Sequence, residues 1–389
     1  MTIPEITPRE LLDRLEPPAG SDAASVPSLQ VLDTRPPERA ARGHIEAGKA
    51  RDYINVPGSQ LAGASDAAVF GLDRTRPVAV VCDRGMSSRP ITNLLLRQGF
   101  EARSLVGGML GWMRLVAPRP VPDVAGLDAL FQLDRIGKGA LGYLALRDGE
   151  ALAVDPGRDL AVWKELLTQT GARLVGVVDT HTHADYLSGG PALAEFFAVP
   201  YRLSAADAID PFSDQPARIV FSPLIDGSTI AVGGARFDVA AMPGHTPGST
   251  VLRLGQELAL TGDFLFTTSI GRPDLAGRSA EWTALLWQSL QRAKGTFPPD
   301  LRLFPGHYAG ESERRSSGVV EIRFGELDRR HPAAQPFDEA SFGQWVKEHS
   351  SAIPEEYRYL KQANLGLLEV DAALADELEA GKNRCAVGA

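Results

Sequence analysis

Residues 179–190 read DTHTHADYLSGG. They follow the apolar, β-branched run LVGVV at residues 174–178, which predicts a buried strand. Pro191 and the apolar positions after it predict a short helix. Two histidines and an aspartate therefore lie where a strand passes into a helix, and α/β folds place their chemistry at such turns. Imidazoles that alternate with a carboxylate at the end of a strand indicate a metal site.

Length and composition restrict the class of protein. At 389 residues the chain is too long for one ordinary hydrophobic core, so we expect two domains. The formal net charge of −9 shows no excess of basic residues that could bind phosphates, so we expect no nucleic-acid partner. With no bilayer-length apolar run and no signal-peptide pattern, we expect no membrane partner. The two cysteines, Cys82 and Cys385, exclude a disulfide framework and favour a reducing cytoplasm.

A second candidate site surrounds Cys82. This cysteine ends the apolar strand at residues 78–81 and precedes the segment DRGMSSRP at residues 83–90, where a helix begins. The amides of that helix and the guanidinium groups of Arg84 and Arg89 are positive, so they favour the thiolate over the thiol. The same loop can hold an additional anionic sulfur atom. The alternative is that Cys82 is a small, buried core residue.

The N-terminal domain carries further segments that accompany this loop: LDTR at residues 32–35, GHI at 43–45 and LVGGMLGW at 105–112. Together they resemble the rhodanese family. The resemblance implies a parallel-sheet α/β domain with sulfurtransferase activity, in which Cys82 carries a persulfide. It also implies that Arg84, Gly85 and Ser87 of the loop bind the sulfur donor.

Two loop residues bear on the reaction. A phosphatase of related fold would need an arginine six positions after the cysteine, where this chain has Ser88. Asp83 places a negative charge beside the cysteine, and this charge opposes binding of a dianionic sulfur donor. A sulfur-binding module that regulates the second domain remains the alternative to a catalytic sulfurtransferase.

The proline-rich segment VAPRPVP at residues 116–122 predicts an extended connector. A new strand pattern begins near Leu127. We therefore place a rhodanese-like domain at residues 1–122 and a second domain, with a helical C-terminal segment, at residues 123–389. Cys385 lies in the last residues of that segment, which are usually mobile.

Polar loops close four apolar strands of the second domain, and each loop carries a histidine or an aspartate near the strand end. Because strands of one sheet bring their ends together, residues distant in sequence can converge there. A lone loop histidine is usually solvated, but Gly or Pro flanks each of these sites and lets the backbone turn tightly. The sequence therefore predicts a cluster of His181, His245, Asp263 and His307.

The motifs that hold these residues are THTHAD at residues 180–185, PGHTPGS at 243–249, TGD at 261–263 and PGH at 305–307. Together they resemble the metallo-β-lactamase superfamily, over residues 127 to about 310. The resemblance implies an αββα sandwich. It does not by itself identify the reaction, because the superfamily hosts many.

One position discriminates between reactions. In members with two zinc ions a second histidine usually follows the aspartate, whereas here Tyr186 follows Asp185. A phenol, with a pKa near 10, is a poor zinc ligand at neutral pH. We therefore expect one metal ion, held by His181, His245 and Asp263. Two histidines and one carboxylate leave positions open, as in non-haem iron(II) oxygenases.

This triad and the segment TSIGRPDL at residues 268–275 resemble the persulfide dioxygenases of the superfamily. The resemblance implies one Fe(II) per chain, with a thiol persulfide (such as glutathione persulfide) and O2 as substrates and sulfite and thiol as products. Arg272 is expected to pair with a carboxylate of the thiol carrier, and Tyr308 to contact substrate. Four residues are expected to orient the metal ligands or the substrate without binding the metal themselves: His183, Asp185, Tyr186 and His307.

The whole chain is thus expected to be a fused rhodanese and persulfide dioxygenase of α/β class. Cys82 either produces the persulfide substrate or combines sulfite with sulfur to form thiosulfate, and the direction stays open. The alternative is a zinc-dependent thioester hydrolase resembling glyoxalase II, with a regulatory sulfur-binding module. The sequence leaves homo-oligomerisation open.

Overall fold

The computed structural model describes residues 2–16, 28–46, 53–327 and 330–388. The chain divides into two compact units. The first comprises Met1–Val116, Arg135–Lys138 and Ala380–Lys382, and the second comprises Ala117–Asp134, Gly139–Glu379 and Asn383–Ala389. The first unit includes two short segments from later in the chain, and the domain boundary at residue 122 stays a prediction.

The first unit contains a five-stranded parallel sheet in the order β1-β5-β4-β2-β3. Its strands are β1 (Glu5–Ile6), β2 (Gln30–Asp33), β3 (Tyr53–Asn55), β4 (Val78–Val81) and β5 (Ala102–Leu105). Its helices are α1 (Pro8–Leu15), α2 (Pro37–Ala40), α3 (Gly58–Ala62), α4 (Ser88–Arg97) and α5 (Gly108–Arg114). The predicted parallel-sheet α/β domain is confirmed.

Strand β4 occupies the middle of this sheet because all four of its residues are apolar and buried. It ends directly before Cys82, and α4 begins six residues later, so the cysteine loop joins the carboxyl end of a central strand to a helix start. At the neighbouring strand end, Asp33 forms a buried ion pair with Arg35 at 2.6 Å. Asp33 also accepts a hydrogen bond of 2.7 Å from Tyr53.

The second unit contains two sheets. One has seven strands in the order β12-β11-β10-β9-β8-β7-β6, and the other has six in the order β13-β14-β15-β16-β17-β18. The strands of the first sheet are β6 (Val116–Pro120), β7 (Ala129–Arg135), β8 (Ala140–Arg147), β9 (Glu150–Val154), β10 (Arg173–Val178), β11 (Tyr201–Ser204) and β12 (Ser222–Leu224). Those of the second are β13 (Thr229–Val232), β14 (Ala235–Ala241), β15 (Thr250–Leu254), β16 (Leu258–Gly262), β17 (Arg302–Pro305) and β18 (Ile322–Arg323).

An apolar core between the two sheets holds them together, with Tyr143 and Val154 from one sheet and Phe237 and Leu260 from the other. The helices of this unit are α6 (Ala161–Thr170), α7 (Gly190–Phe197), α8 (Ser279–Thr296), α9 (Glu339–His349), α10 (Glu356–Asn364) and α11 (Ala372–Leu378). Helices α8 and α9 pack on the outer face of the six-stranded sheet, and α7 packs against β10 and β11 of the other sheet. The predicted αββα sandwich is therefore confirmed.

The topology brings the polar loops to one edge. Strands β14 and β16 both run antiparallel to β15, and β17 runs parallel to β16. The carboxyl ends of β14, β16 and β17 therefore meet at the same edge, and the loops with His245, Asp263 and His307 follow them.

The proline-rich connector is extended, as predicted, whereas the prediction of a mobile C-terminal segment was wrong. The proline-rich connector forms β6, which occupies an edge of the seven-stranded sheet, where missing N–H donors do not interrupt the hydrogen bonding. The C-terminal residues are not mobile, because Cys385 is fully buried and the backbone of Ala386 bridges that of Gly271. Within the described ranges, no helix is both long enough and apolar enough to cross a membrane.

Candidate metal centre and cysteine loop

Three side chains from the strand-end loops meet in the second unit. His181 Nε2 and His245 Nε2 lie 3.6 and 3.4 Å from Asp263 Oδ2, and the side chains are at most 1% exposed. Among the described residues, none of these three atoms has a hydrogen-bond partner. Buried polar atoms are almost always satisfied, so three unsatisfied ones that face each other fit a metal ion.

The other polar atom of each side chain fixes its direction. His245 Nδ1 donates to the Arg272 carbonyl oxygen at 2.9 Å. His181 Nδ1 lies 3.0 Å from the Thr180 hydroxyl, which donates its own proton to Asp155. Asp263 Oδ1 accepts a 2.7 Å hydrogen bond from His307 Nδ1. Such outer partners leave one lone pair of each ligand directed at the metal.

The charges of the triad suit a divalent cation. Burial lowers the pKa of His245 to about 4 and that of His181 well below its usual value, so both rings are neutral at pH 7. Burial raises the pKa of Asp263, but the neighbouring His307 outweighs burial and lowers it, so Asp263 is ionised. Neutral imidazoles and an ionised carboxylate are the forms that bind metal.

Glycines leave the space that this arrangement needs. A Cβ atom at Gly271 would lie 1.8 Å from the Asp263 carbonyl oxygen, and one at Gly306 would lie 2.6 Å from Asp263 Oδ1. A larger residue at position 306 would displace the Asp263 carboxylate, and one at position 271 would displace the Asp263 backbone and the His245 side chain.

His183, which was expected to orient the metal ligands, lies in a cluster with two carboxylates. Its Nε2 faces Asp155 at 3.3 Å and Asp179 at 3.8 Å, and the Tyr186 hydroxyl lies 3.1 Å away. Burial lowers the pKa of His183, but the two carboxylates outweigh burial and raise it to about 10. His183 is therefore a protonated ring held by carboxylates, which leaves two histidines rather than three around the metal position.

Asp185 and His307 form a further group with Cys385. Asp185 Oδ2 lies 3.0 Å from His307 Nε2, and one donor atom of each of the three residues lies within 4.8 Å of the others. The sequence analysis named Cys385 but did not place it in this group. The Arg272 amide holds it through a 2.8 Å hydrogen bond to the Cys385 carbonyl oxygen. No local pattern marks this cysteine, because its neighbours come from segments far earlier in the chain.

The side chains of Arg272 and Tyr308, both expected to bind substrate, are engaged by other groups of the protein. Both terminal groups of Arg272 are buried and bonded within the protein: Asp274 pairs with the guanidinium at 2.7 Å, and the Ser351 carbonyl accepts from it. The Tyr308 hydroxyl donates to Asp134 at 3.0 Å and accepts from Arg314. The contribution of Arg272 is its carbonyl oxygen, which orients His245.

Asp207 joins two of the ligand loops, and the sequence did not single it out. Its Oδ2 accepts from the Thr182 amide at 2.8 Å and the Thr246 hydroxyl at 2.7 Å. Its Oδ1 accepts from the Gly248 amide at 2.6 Å. This buried carboxylate thus ties the loop after β10 to the loop after β14.

In the first unit, the Cys82 thiol is enclosed by hydrogen-bond donors. The Gly85 amide donates to Sγ at 3.1 Å, and the Ser88 hydroxyl lies 3.2 Å from it. Burial raises the pKa of the thiol, but hydrogen bonds from Ser87, Ser88 and nearby amides outweigh burial and lower it. Ser88, where a phosphatase would need arginine, thus contributes a hydroxyl donor.

The loop geometry requires glycine. Gly85 has a φ of +77°, and a Cβ there would lie 2.7 Å from the Gly107 amide nitrogen. Arg84 is exposed beside it. Asp83, whose charge was expected to oppose an anionic donor, pairs with Arg39 at 2.7 Å, which partly neutralises that charge.

Comparisons with known proteins match the two parts of the chain to two different families. A family model described as Metallo-beta-lactamase superfamily matches residues 138–307, and one described as Rhodanese-like domain matches residues 9–115. The chain is similar to "Probable polyketide biosynthesis zinc-dependent hydrolase BaeB" of Bacillus velezensis, with 32% identity over 161 residues. That match covers 41% of this chain and 68% of the hydrolase.

The chain is also similar to human "Persulfide dioxygenase ETHE1, mitochondrial", with 31% identity over 164 residues. This match covers 41% of the chain and 59% of the dioxygenase, which is less than two thirds of its length. The crystal structure of ETHE1 from Myxococcus xanthus superposes with a TM-score of 0.51 at 24% identity, over 61% of this chain and 97% of that one. This structural likeness concerns the fold alone.

The metal triad predicts which substitutions remove the ion. His245→Ala should reduce the metal content of the purified protein to background, whereas His183→Gln should retain the metal because His183 is not a ligand. Mass spectrometry of the bound metal, with circular dichroism to verify folding, measures both. The exposed His349→Ala serves as the control. Loss of metal from folded His183→Gln would contradict the triad.

The role of Asp207 predicts a stability change. Asp207→Ala leaves two amides and a hydroxyl without their acceptor, so the free energy of unfolding should fall by about 3 kcal/mol. Urea denaturation measures this difference. Asp300→Ala, at a 95% exposed side chain, should change the free energy by less than about 0.5 kcal/mol. Equal effects of the two substitutions would refute the assigned role.

The lowered pKa of the Cys82 thiol predicts its reactivity. Because the thiolate persists to lower pH, the alkylation rate should reach half its maximum below the value of about 8.5 typical of free cysteine. Ser88→Ala removes one donor to the thiolate, so it should move this midpoint to higher pH. Iodoacetamide labelling, followed on the Cys82 peptide by mass spectrometry, reports the midpoint. Identical profiles in both proteins would exclude the Ser88 contribution.

Proposed function

This chain belongs to the metallo-β-lactamase superfamily, with a rhodanese-like domain fused to it, and from that premise we propose that it oxidises a thiol persulfide. The substrates are a low-molecular-weight thiol persulfide and O2, and the products are sulfite and the thiol. The observation that carries this proposal is the two-histidine, one-carboxylate triad, from which His183 is held away by Asp155 and Asp179.

We infer that the cofactor is one Fe(II) per chain, held by His181, His245 and Asp263. Fe(II) in such a triad supplies the redox chemistry of O2 activation and has several open coordination positions, whereas zinc usually keeps one. The similarity to a persulfide dioxygenase supports chemistry with O2, to which Fe(II) is suited. The similarity to a zinc-dependent hydrolase supports zinc, so the ligand set is the argument that favours iron here.

The protein residues contribute geometry, charge and exclusion of water. Asp263 supplies the one negative charge of the triad, and His307 holds a proton on Nδ1 that hydrogen-bonds it. Opposing carboxylates outweigh burial and raise the pKa of His307 to about 10, so this proton stays in place at neutral pH. Its other nitrogen faces Asp185, which fixes the ring.

In the rhodanese-like domain we assign sulfur transfer to Cys82. Its thiolate attacks the outer sulfur of thiosulfate, the bond between the two sulfur atoms breaks, and sulfite leaves while Cys82 becomes a persulfide. The reverse reaction returns sulfur to sulfite. The Gly85 amide and the Ser88 hydroxyl stabilise negative charge on sulfur in both directions. A reducing cytoplasm suits this chemistry, because Cys82 must be a thiolate and not a disulfide to attack.

A second candidate function is zinc-dependent thioester hydrolysis. Asp185, His307 and Cys385 group their donor atoms within 4.8 Å, and a thiolate is a good zinc ligand. This group offers a second metal position that does not need Tyr186, whose replacement of histidine was the reason to expect one metal. Similarity to a zinc-dependent hydrolase favours the same alternative.

Metal counting and oxygen uptake decide between the two. Protein purified anaerobically should contain one iron per chain and consume O2 when glutathione persulfide is added. Cys385→Ser should leave the metal count unchanged. Two zinc ions per chain, loss of one in Cys385→Ser, and cleavage of a glutathione thioester without O2 uptake would establish the hydrolase instead.

A further inference from the structure

A cleft beside the metal centre contains polar groups that the proposed mechanism does not use. Its cavity volume is about 20 Å³, so it can take one small polar group or ion. Thr182 and Pro247 line it, and each lies next to a loop that carries a metal-binding histidine. Trp282 from α8 and Lys361 from α10 line the same cleft. A group bound here would therefore lie beside His181 and His245.

Lys361 is an unusual residue to bury. Its side chain is 2% exposed, and among the described residues it forms no salt bridge. The Trp282 ring centroid lies 6.0 Å from its Nζ. Burial lowers the pKa of Lys361, and nearby acidic groups only partly compensate. Burying an ammonium group without an ion-pair partner costs several kcal/mol, so such a group indicates a ligand that completes it.

Trp282, which also lines this cleft, carries a second donor whose partner is missing. The residue is 1% exposed, and its indole Nε1 is buried with no hydrogen-bond partner in the described part of the chain. Buried indole N–H groups usually find an acceptor. Two unused donors, one of them cationic, therefore line one small cleft.

The acidic residues nearby are already committed to other donors. Asp207 accepts from two amides and a hydroxyl, as described above. Asp210 accepts from the Ser213 hydroxyl at 2.5 Å and from the Gln362 amide at 3.0 Å. These hydrogen bonds partly neutralise the charge of both carboxylates, and neither carboxylate forms an ion pair with the Lys361 ammonium group.

We propose that the cleft is an oxyanion subsite, in which Lys361 Nζ and Trp282 Nε1 bind an oxyanion next to the metal. A carboxylate of the thiol carrier and the sulfite product share this chemistry. The subsite takes the role first expected of Arg272, whose guanidinium is occupied by Asp274 and Ser351. The identity of the ligand rests on the proposed function, whereas the binding of an oxyanion does not.

Binding measurements on the iron-loaded, anaerobic protein test this subsite. The probes in titration calorimetry are glutathione, its diethyl ester and sulfite. Lys361→Met should weaken glutathione binding by at least about tenfold, the loss expected for one charged hydrogen bond, and Lys361→Arg should restore most of it. Trp282→Phe removes the N–H and keeps the ring, so it should weaken binding by about fivefold. The exposed Lys347→Met is the matched control.

The three probes separate the sources of the oxyanion. If the carboxylate of the carrier occupies the subsite, the ester binds weakly and equally to wild type and Lys361→Met. If sulfite occupies it, Lys361→Met weakens sulfite binding and leaves glutathione binding unchanged. Wild-type protein that binds neither anion, or Lys361→Met that binds both like wild type, overturns the subsite. Oxyanion binding by a protein that does not oxidise persulfides would refute the proposed function alone.

Discussion

The carboxylate of Asp263 gives its two oxygen atoms to different partners, and the metal centre depends on that division. Oδ1 accepts the proton of His307, while Oδ2 faces His181 and His245. Gly306 leaves room for this carboxylate, and Gly271 leaves room for the Asp263 backbone and His245, because neither glycine has a side chain. Strand β16 ends directly before Asp263 and places it between the strand ends that carry its partners.

The same residue type takes two ionisation states within this site. His181 and His245 face each other across the metal position, and burial keeps their rings neutral. His183 and His307 are equally buried, but each lies between two carboxylates that keep it protonated. The distribution of Asp155, Asp179, Asp185 and Asp263 thus decides which imidazoles can bind a cation. This is the physical basis for a triad rather than a set of four histidines.

The Cys82 loop also stabilises negative charge, with a backbone amide and a side-chain hydroxyl. No metal is needed to stabilise the negative sulfur, because an amide and a hydroxyl point at it. Each site therefore holds a stabilised negative charge before a substrate binds, on the Asp263 carboxylate in one and on the Cys82 sulfur in the other. The family matches place these two kinds of site in separate parts of the chain, one at residues 9–115 and the other at residues 138–307.

The sequence by itself determined the fold class and the candidate ligands, because both depend on local patterns. An apolar strand followed by a tight polar turn identifies a strand end wherever it occurs, and this pattern located His181, His245 and Asp263. It could not locate Asp207, Lys361 or Cys385, which have no motif around them. Their roles depend on contacts between segments far apart in sequence, and the same contacts occupy the guanidinium of Arg272 with Asp274 and Ser351. Only the tertiary packing, of the sandwich loops on one another and of the C-terminal segment against them, decided those positions, because burial and charge depend on neighbours that the linear sequence does not identify.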